Sequence, residues 1–326
     1  MNIQNILYKS IQASEKWKYR VDGNDDILKK SLKVRGILSP LVILQEKNQF
    51  LLLDGFKRYH YIKDKSDTKI PAYLYSKEQV KDAFLHSLLL NETNRPLSTI
   101  EKSNVIKLIQ IFNDEDFRNK VYNFLDIPAK QQFIQKYLTI NSFNETVKKY
   151  FHNFQFSLRQ IERISPLAID ALLPWIELAQ YLNLKAQEFI TMVETIWDIS
   201  INEKIPINDL YNKLHIKDQL NTQLTIQQKT YHLKNFLNQE RYPLLNAIRK
   251  KMSEQINKIQ KENNIPIQIS WDKSLEQSGL WFKTYLEHEK SLDELIRVFN
   301  SPETKTKLIN LFKILMHSLE DSNETT

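Results

Sequence analysis

The sequence predicts a mostly helical α+β fold: a small mixed-sheet domain, a central all-α domain with a helix-turn-helix, and a small C-terminal α+β unit. Three observations predict it. Between Gly36 and Arg58, two apolar runs, Leu41–Leu44 and Phe50–Leu53, flank a polar turn at Gln45–Gln49, which is the pattern of a β-hairpin. From Ser98 to about Asn208, apolar residues recur at helical spacing almost without a break. Near the C-terminus, Pro266–Ser270 and Leu280–Leu286 read as strands set among helices. The expected divisions are 1–95, 96–208 and 209–320, with 321–326 a polar, disordered tail.

Composition narrows the function classes. The chain has 326 residues, 41% hydrophobic and 26% charged, which describes a soluble globular protein with a substantial core. No apolar run approaches the roughly 20 residues a membrane-spanning helix needs, and Met1–Arg20 lacks the basic and apolar regions of a signal peptide. A cytoplasmic protein without membrane contact is therefore expected. The absence of cysteine excludes disulfides, thiolate metal sites and cysteine catalysis together. Net charge is +7, and it is concentrated: 14 Lys/Arg face 8 Asp/Glu over residues 1–75, and 8 face 4 over 116–163. That distribution suits a polyanionic partner, against the plainer reading of solvated surface lysine.

In chain order, the N-terminus begins with an apolar strand or helix and continues into the pair Tyr19-Arg20. Residues 25–35 form a short helix with Ile27, Leu28 and Leu32 inward, Asn24 or Asp25 as its cap and Gly36 ending it. After the hairpin, Asp54-Gly55 leads into a helix from Phe56 to Lys63. A glycine at a strand–helix junction lets a ligand approach the backbone, and Lys57 and Arg58 add positive charge there. Ile70–Tyr75 is a returning strand, and a helix runs from Ser76 to Leu90 with Val80, Ala83, Phe84 and Leu88 inward. Residues 91–96 break it at Pro96, and Ser98 with Glu101 starts the next helix as a capping box.

Within 116–140, Val121, Phe124 and Leu125 end one helix, Asp126-Ile127-Pro128 turns the chain, and Pro128 starts the second helix. Phe133, Ile134, Tyr137 and Leu138 form its inward stripe, which leaves Lys130, Gln131, Gln135 and Lys136 outward. Such residues suit phosphates and base edges, although periodicity alone favours an ordinary helical hairpin. Arg159 and Arg163 share a face further on, and Trp175, Phe189 and Trp197 read as core. Residues 205–228 read as a polar linker, and 225–264 as helix broken once at Tyr242-Pro243. Strands and helices to about His317 complete the C-terminal unit.

Two segments carry a family resemblance. Gly36, Ile37-Leu38, Ser39-Pro40 and then Gly55-Phe56-Lys57-Arg58 resemble the first box of the ParB partition-protein family, and Leu88–Ser103 resembles the second at the expected distance. The resemblance covers about residues 15–165. It implies a ParB/sulfiredoxin-type N-terminal domain, DNA clamping or partition in a bacterial setting, and CTP with Mg²⁺ as regulator. By the same resemblance, Ser39, Pro40, Gly55, Phe56, Lys57, Arg58, Asn91, Asn94 and Arg95 are the nucleotide and phosphate residues. The helix-turn-helix placed after the second box would present Lys130, Gln131, Gln132, Gln135, Lys136 and Arg159 to DNA. A homodimer fits the same picture.

Two departures bear on turnover. Leu90 stands where the family usually has a glutamate implicated in hydrolysis, and Phe56 replaces a usual acidic residue. Leucine neither accepts a proton nor orients water, so little or no hydrolysis is expected. The alternative is an enzyme on the same fold. Free-serine kinases carry an Asp-Gly-His-x-Arg type motif, and Asp54-Gly55-Phe56-Lys57-Arg58 is similar to it, with Asp54 or Glu92 as the candidate base. A third reading is a domain that binds a protein partner. A sulfiredoxin needs a cysteine, and a nuclease needs clustered carboxylates for metal; the chain has neither. No His-Glu-x-x-His, Walker loop or Gly-x-Ser-x-Gly occurs, and the seven histidines stand singly, with no carboxylate at ligand spacing.

Overall fold

A five-stranded mixed sheet forms around the apolar hairpin because its first strand is hydrophobic on both faces. In the computed structural model, which describes residues 3–323 except 24–25, 48, 63–67, 168, 221–222, 263–266, 274–276 and 278, β1 is Ile3–Leu7, β2 Ile11–Gln12, β3 Leu41–Glu46, β4 Gln49–Asp54 and β5 Lys69–Ser76. The order is β1-β5-β3-β4-β2. β3 lies parallel to β5 and antiparallel to β4, while β1 is antiparallel to β5 and β2 parallel to β4. Leu41 and Ile43 pack with Ile6, Leu52, Ile70 and Ala72 on one face, which α2 (Phe56–Tyr61) covers through Phe56 and Tyr59. α3 (Val80–Asn94) packs against the central strands with Ala83, Phe84 and Leu88 buried. A strand buried on both sides reads as a continuous apolar run, as β3 does.

The hairpin turn is tighter than its polar sequence suggests. The strands pair out to Glu46 and Gln49, and Lys47 takes a left-handed φ of 52°. α1 (Asp26–Arg35) buries Leu32 but leaves Ile27 87% exposed, because Leu28 and Leu32 define the inward stripe and Ile27 lies about 100° away from Leu28. The expected cap at Asn24 or Asp25 lies outside the described residues, as does the expected helix end at Lys63. α3 does not break at 91. It continues to Asn94, since Pro96 restricts only Arg95, which is extended at φ −160° and ψ 125°.

The helical array follows: α4 (Thr99–Ile109), α5 (Glu115–Phe124), α6 (Gln131–Asn141), α7 (Glu145–Asn153), α8 (Leu158–Ile164), α9 (Leu173–Tyr181), α10 (Ala186–Glu203), α11 (Ile207–Lys213) and α12 (Ile216–Leu220). Ser98 and Glu101 make the expected capping box on α4. Asp126 turns the chain in left-handed geometry at φ 55°. Pro128 is not the first helical residue: α6 starts at Gln131, with Lys130 extended before it. Its buried positions are Ile134, Tyr137 and Ile140. Trp175 and Phe189 are core, but Trp197 is 41% exposed. The expected linker is helical as well, because Ile207, Leu210 and Ile216 give α11 and α12 an apolar side to bury.

The chain separates into two compact units, Met1–Thr230 and Tyr231–Thr326. α13 (Ile226–Arg241) ends before the expected break, and α14 (Pro243–Glu262) begins at the proline. In the second unit, β6 (Ile267–Trp271) alternates buried and exposed residues and pairs with β7 (Leu280–Thr284). Ile248, Met252, Ile256 and Ile259 of α14 pack with Ile267, Ile269 and Trp271. α15 (Glu289–Asn300) and α16 (Pro302–Asn323) complete it, with Leu311 and Leu315 in the same core. The helix thus occupies part of the expected disordered tail; residues 324–326 lie outside the described residues.

Candidate anion-binding cavity

Gly55 sits at φ 97° between β4 and α2, and a Cβ there would come within 2.4 Å of Leu41 Cδ2. Both facts demand glycine at this position. The turn places Lys57 and Arg58 beside a cavity of about 400 Å³. Because α2 has only six residues, its dipole adds little, and the charge comes from side chains. Arg58 is anchored twice: Nη1 donates to the Ser39 and Pro40 carbonyls at 2.6 and 3.2 Å, and Nη2 donates to Asp54 Oδ2 at 3.3 Å. Burial pulls the Arg58 guanidinium below its ordinary pKa, and the Asp54 carboxylate partly restores it.

The second wall is the last turn of α3. Asn91 Nδ2 donates to the other Asp54 oxygen, Oδ1, at 3.0 Å, and also lies within reach of Tyr19 Oη at 2.7 Å and the Ser87 carbonyl at 2.9 Å. One carboxylate therefore joins Arg58 to Asn91, across 33 residues of sequence. Tyr19 is buried and bonded to Ser87 Oγ at 2.8 Å; burial, then the nearby Asp54 charge, pushes its phenol well above the ordinary range.

Arg20 ties this wall to the helical array. Its Nε meets Asn91 Oδ1 at 3.3 Å, its Nη2 the carbonyls of Asn91 and Arg95 at 2.7 and 2.6 Å, and its Nη1 Glu101 Oε2 at 3.1 Å. Glu101 is fully buried. Its Oε2 also accepts the Ser98 amide at 3.0 Å, while its Oε1 accepts Arg95 Nη2 at 2.6 Å and the Val21 amide at 3.2 Å. Burial pushes this carboxyl up, but the Ser98 amide, Arg20 and Arg95 outweigh it and leave the group below the usual glutamate range. The next two residues of α4 hold the other side: Lys102 Nζ donates to the Leu125 carbonyl at 2.7 Å, and Ser103 Oγ to the Tyr137 carbonyl of α6 at 2.8 Å.

Chemically, the lining sets cations suited to an anion beside two carboxylates, Asp22 and Asp54. Lys18, Arg20, Lys57, Arg58 and Arg95 line it, yet Lys18 is paired with Asp22, and the hydrogen bonds of Arg20 and Arg58 already satisfy much of their donor capacity. An incoming anion would have to exchange with internal acceptors. Leu90 also lines it and offers no proton acceptor. Glu92, one candidate base of the kinase reading, accepts the Leu97 amide at 3.0 Å and is absent from the cavity lining. Asp54, the other, has both oxygens engaged.

The comparisons with known proteins give a distant likeness. No family model and no curated protein matches the chain. Solved ParB structures do. A structure described as a Pnob8-like ParB-N domain is 15% identical, with a TM-score of 0.38, covering 76% of this chain and 96% of that one. The C-terminally truncated chromosome-partitioning protein ParB from Caulobacter crescentus matches in two forms. Complexed with CTP-gamma-S it is 12% identical (TM-score 0.25, covering 54% of this chain and 99% of that one). Complexed to the centromeric parS site it is 10% identical (TM-score 0.32, covering 58% and 97%). At such values the cavity's own geometry has to carry the functional argument.

Of the residues expected at the nucleotide, Ser39, Gly55, Phe56, Lys57, Arg58, Asn91, Asn94 and Arg95 line this one cavity, and Pro40 contributes its carbonyl to Arg58. Of those expected at DNA, Lys130, Gln131, Gln132, Gln135 and Arg159 are exposed. Lys136 is half-buried, paired with Glu162 and stacked 5.1 Å over the Phe133 ring. In the sequence Arg20 stands only as half of a Tyr-Arg pair and Glu101 only as a cap; in the structure they form one hub. His215 has a carboxylate after all, Asp218, at 3.7 Å on the exposed surface. Among the described residues, no group of three His, Cys, Asp or Glu could hold a metal, and no helix is long and apolar enough to cross a membrane.

Proposed function

We propose that this chain is a DNA-binding protein of the ParB-like type whose cavity takes a nucleoside triphosphate, CTP with Mg²⁺, as a regulator with little or no turnover. The observation that carries the reading is the meeting of the two sequence boxes: Arg58 of the first and Asn91 of the second share one buried carboxylate, with Arg20 and Arg95 beside them. The cavity's volume falls in the range of small-ligand sites, and its cations suit phosphate. Lys57 and Arg58 would hold the phosphates, Gly55 leaves the backbone open to them, and a bound divalent cation would offset their charge. The exposed Lys130, Gln131 and Gln135 at the start of α6 suit a nucleic-acid surface. Glu101, bonded to Arg20 of the cavity, and Ser103, bonded to Tyr137, join that helix to the cavity, while Lys102 between them holds the Leu125 carbonyl at the end of α5.

Calorimetric titration of the four nucleoside triphosphates with Mg²⁺, alone and with DNA fragments, tests both halves. CTP is expected to bind, and Arg58→Ala to abolish binding while the fold, read by circular dichroism, persists. No binding by any triphosphate overturns the nucleotide half. DNA binding with no dependence on salt overturns the other, since phosphate contacts release counterions.

A further inference from the structure

We propose that Asp54 is a built-in competitor for the anion this cavity takes, so that a polyphosphate binds well only when a divalent cation accompanies it. The class of ligand rests on the nucleotide reading above; the role of Asp54 rests on the following geometry. Asp54 is only 9% exposed and lines the cavity. Its two oxygens hold Arg58 Nη2 at 3.3 Å and Asn91 Nδ2 at 3.0 Å, both on residues that the nucleotide reading assigns to the ligand.

The alternative is that Asp54 merely orients those two groups, and their other bonds argue against it. Arg58 Nη1 is held by the Ser39 and Pro40 carbonyls, the former at 2.6 Å, shorter than its contact with Asp54. Asn91 is held by Tyr19 and the Ser87 carbonyl on one side and by Arg20 on the other. Each thus has anchors besides the carboxylate. Asp54 therefore supplies charge rather than scaffolding. A phosphate that reaches Arg58 must come within a few ångströms of this carboxylate in a poorly screened cavity, where like charges repel strongly. Asp22, the other carboxylate of the lining, is paired with Lys18 at 2.9 Å, and Glu101 behind the wall is a further anion occupied by Arg20 and Arg95, so neither relieves that repulsion. A divalent cation between Asp54 and the phosphates turns the repulsion into attraction.

The test is calorimetry on the full chain with sodium tripolyphosphate and with CTP, each in Mg²⁺ and in chelator. The wild type is expected to bind measurably only with Mg²⁺. Asp54→Asn is expected to bind metal-free tripolyphosphate about 10- to 100-fold more tightly than the wild type, with the Mg²⁺ requirement shrinking accordingly. Asp54→Ser, smaller and also neutral, is expected to behave alike and serves if the asparagine variant folds poorly. Weaker binding by both variants in both conditions overturns the proposal and makes Asp54 a positioning residue; unchanged binding overturns it as well. If the wild type binds neither ligand even with Mg²⁺, the nucleotide reading fails. A gain of metal-free tripolyphosphate binding in the variants would still support the competitor role, and no gain would overturn it.

Discussion

Replacing Glu101 with glutamine removes one charge from the hub and puts an amide where a carboxylate accepts four bonds. Oε1 serves Arg95 and Val21, and Oε2 serves Arg20 and Ser98. Whichever way the new side chain turns, its NH₂ faces two donors that lose their acceptor. One of each pair is charged and one is a backbone amide. Arg95 is half exposed and recovers part of its loss from water, whereas Arg20 is mostly buried. About 2 kcal/mol for the charged bond and about 1 for the amide give about 3 kcal/mol. For a unit of this size that lowers Tm by roughly 6–12 °C.

Acid provides the second readout. The Glu101 carboxyl is held below its ordinary range in the folded chain, so its contribution is complete above the unfolded glutamate pKa of about 4.3. It fades as pH falls through the lower folded value. The gap between wild type and Glu101→Gln in thermal melts is therefore expected to be widest near neutrality and to narrow below about pH 4. A neutral-pH gap under about 2 °C, or one that stays constant into acid, refutes the view of Glu101 as a charged hub.

Three further outcomes are expected. Gly55→Ala, forced into a left-handed φ with its Cβ on Leu41, is expected to lose about 2–4 kcal/mol in chemical denaturation; a loss below about 0.5 kcal/mol would show that the junction relaxes freely. With Leu90 on the cavity wall, phosphate release from any bound triphosphate is expected to stay well below about 1 s⁻¹, and a faster rate would favour the kinase-like reading. In DNA binding followed against salt, Lys130→Ala is expected to flatten the slope by roughly 0.9 and Gln131→Ala to leave it unchanged. Lys136→Ala should do less than Lys130→Ala, because Glu162 already engages that ammonium. Equal binding by the Lys130 variant at every salt would reduce the helix to a packing element.

How much of this was legible in the sequence depended on the range of the interaction. The hairpin, Gly55 and the Ser98–Glu101 cap were legible because strand period, backbone geometry and capping act within a few residues. Ile27 is exposed despite its apolar side chain because α1 has more apolar residues than it can bury on one face. α3 runs four residues beyond the Leu90 end that its pattern predicts because a proline constrains only its immediate predecessor. The hub was hidden for a different reason. Glu101 is fully explained as a local cap, and nothing at three-residue spacing announces that Arg20, 81 positions away, shares its carboxylate.

That α4 serves the cavity and α6 through adjacent residues has a consequence for how this segment can change. Substitutions at 101, 102 or 103 each weaken one attachment and leave the others in register. An insertion or deletion there is a different kind of event. Adding one residue between Glu101 and Ser103 turns everything beyond it by about 100° and advances it about 1.5 Å along the axis. The serine would then face away from Tyr137 while the carboxylate still faced Arg20. Length in this stretch of α4 is therefore expected to be far less forgiving than composition, and drift in length should collect instead in the surface turns between the later helices.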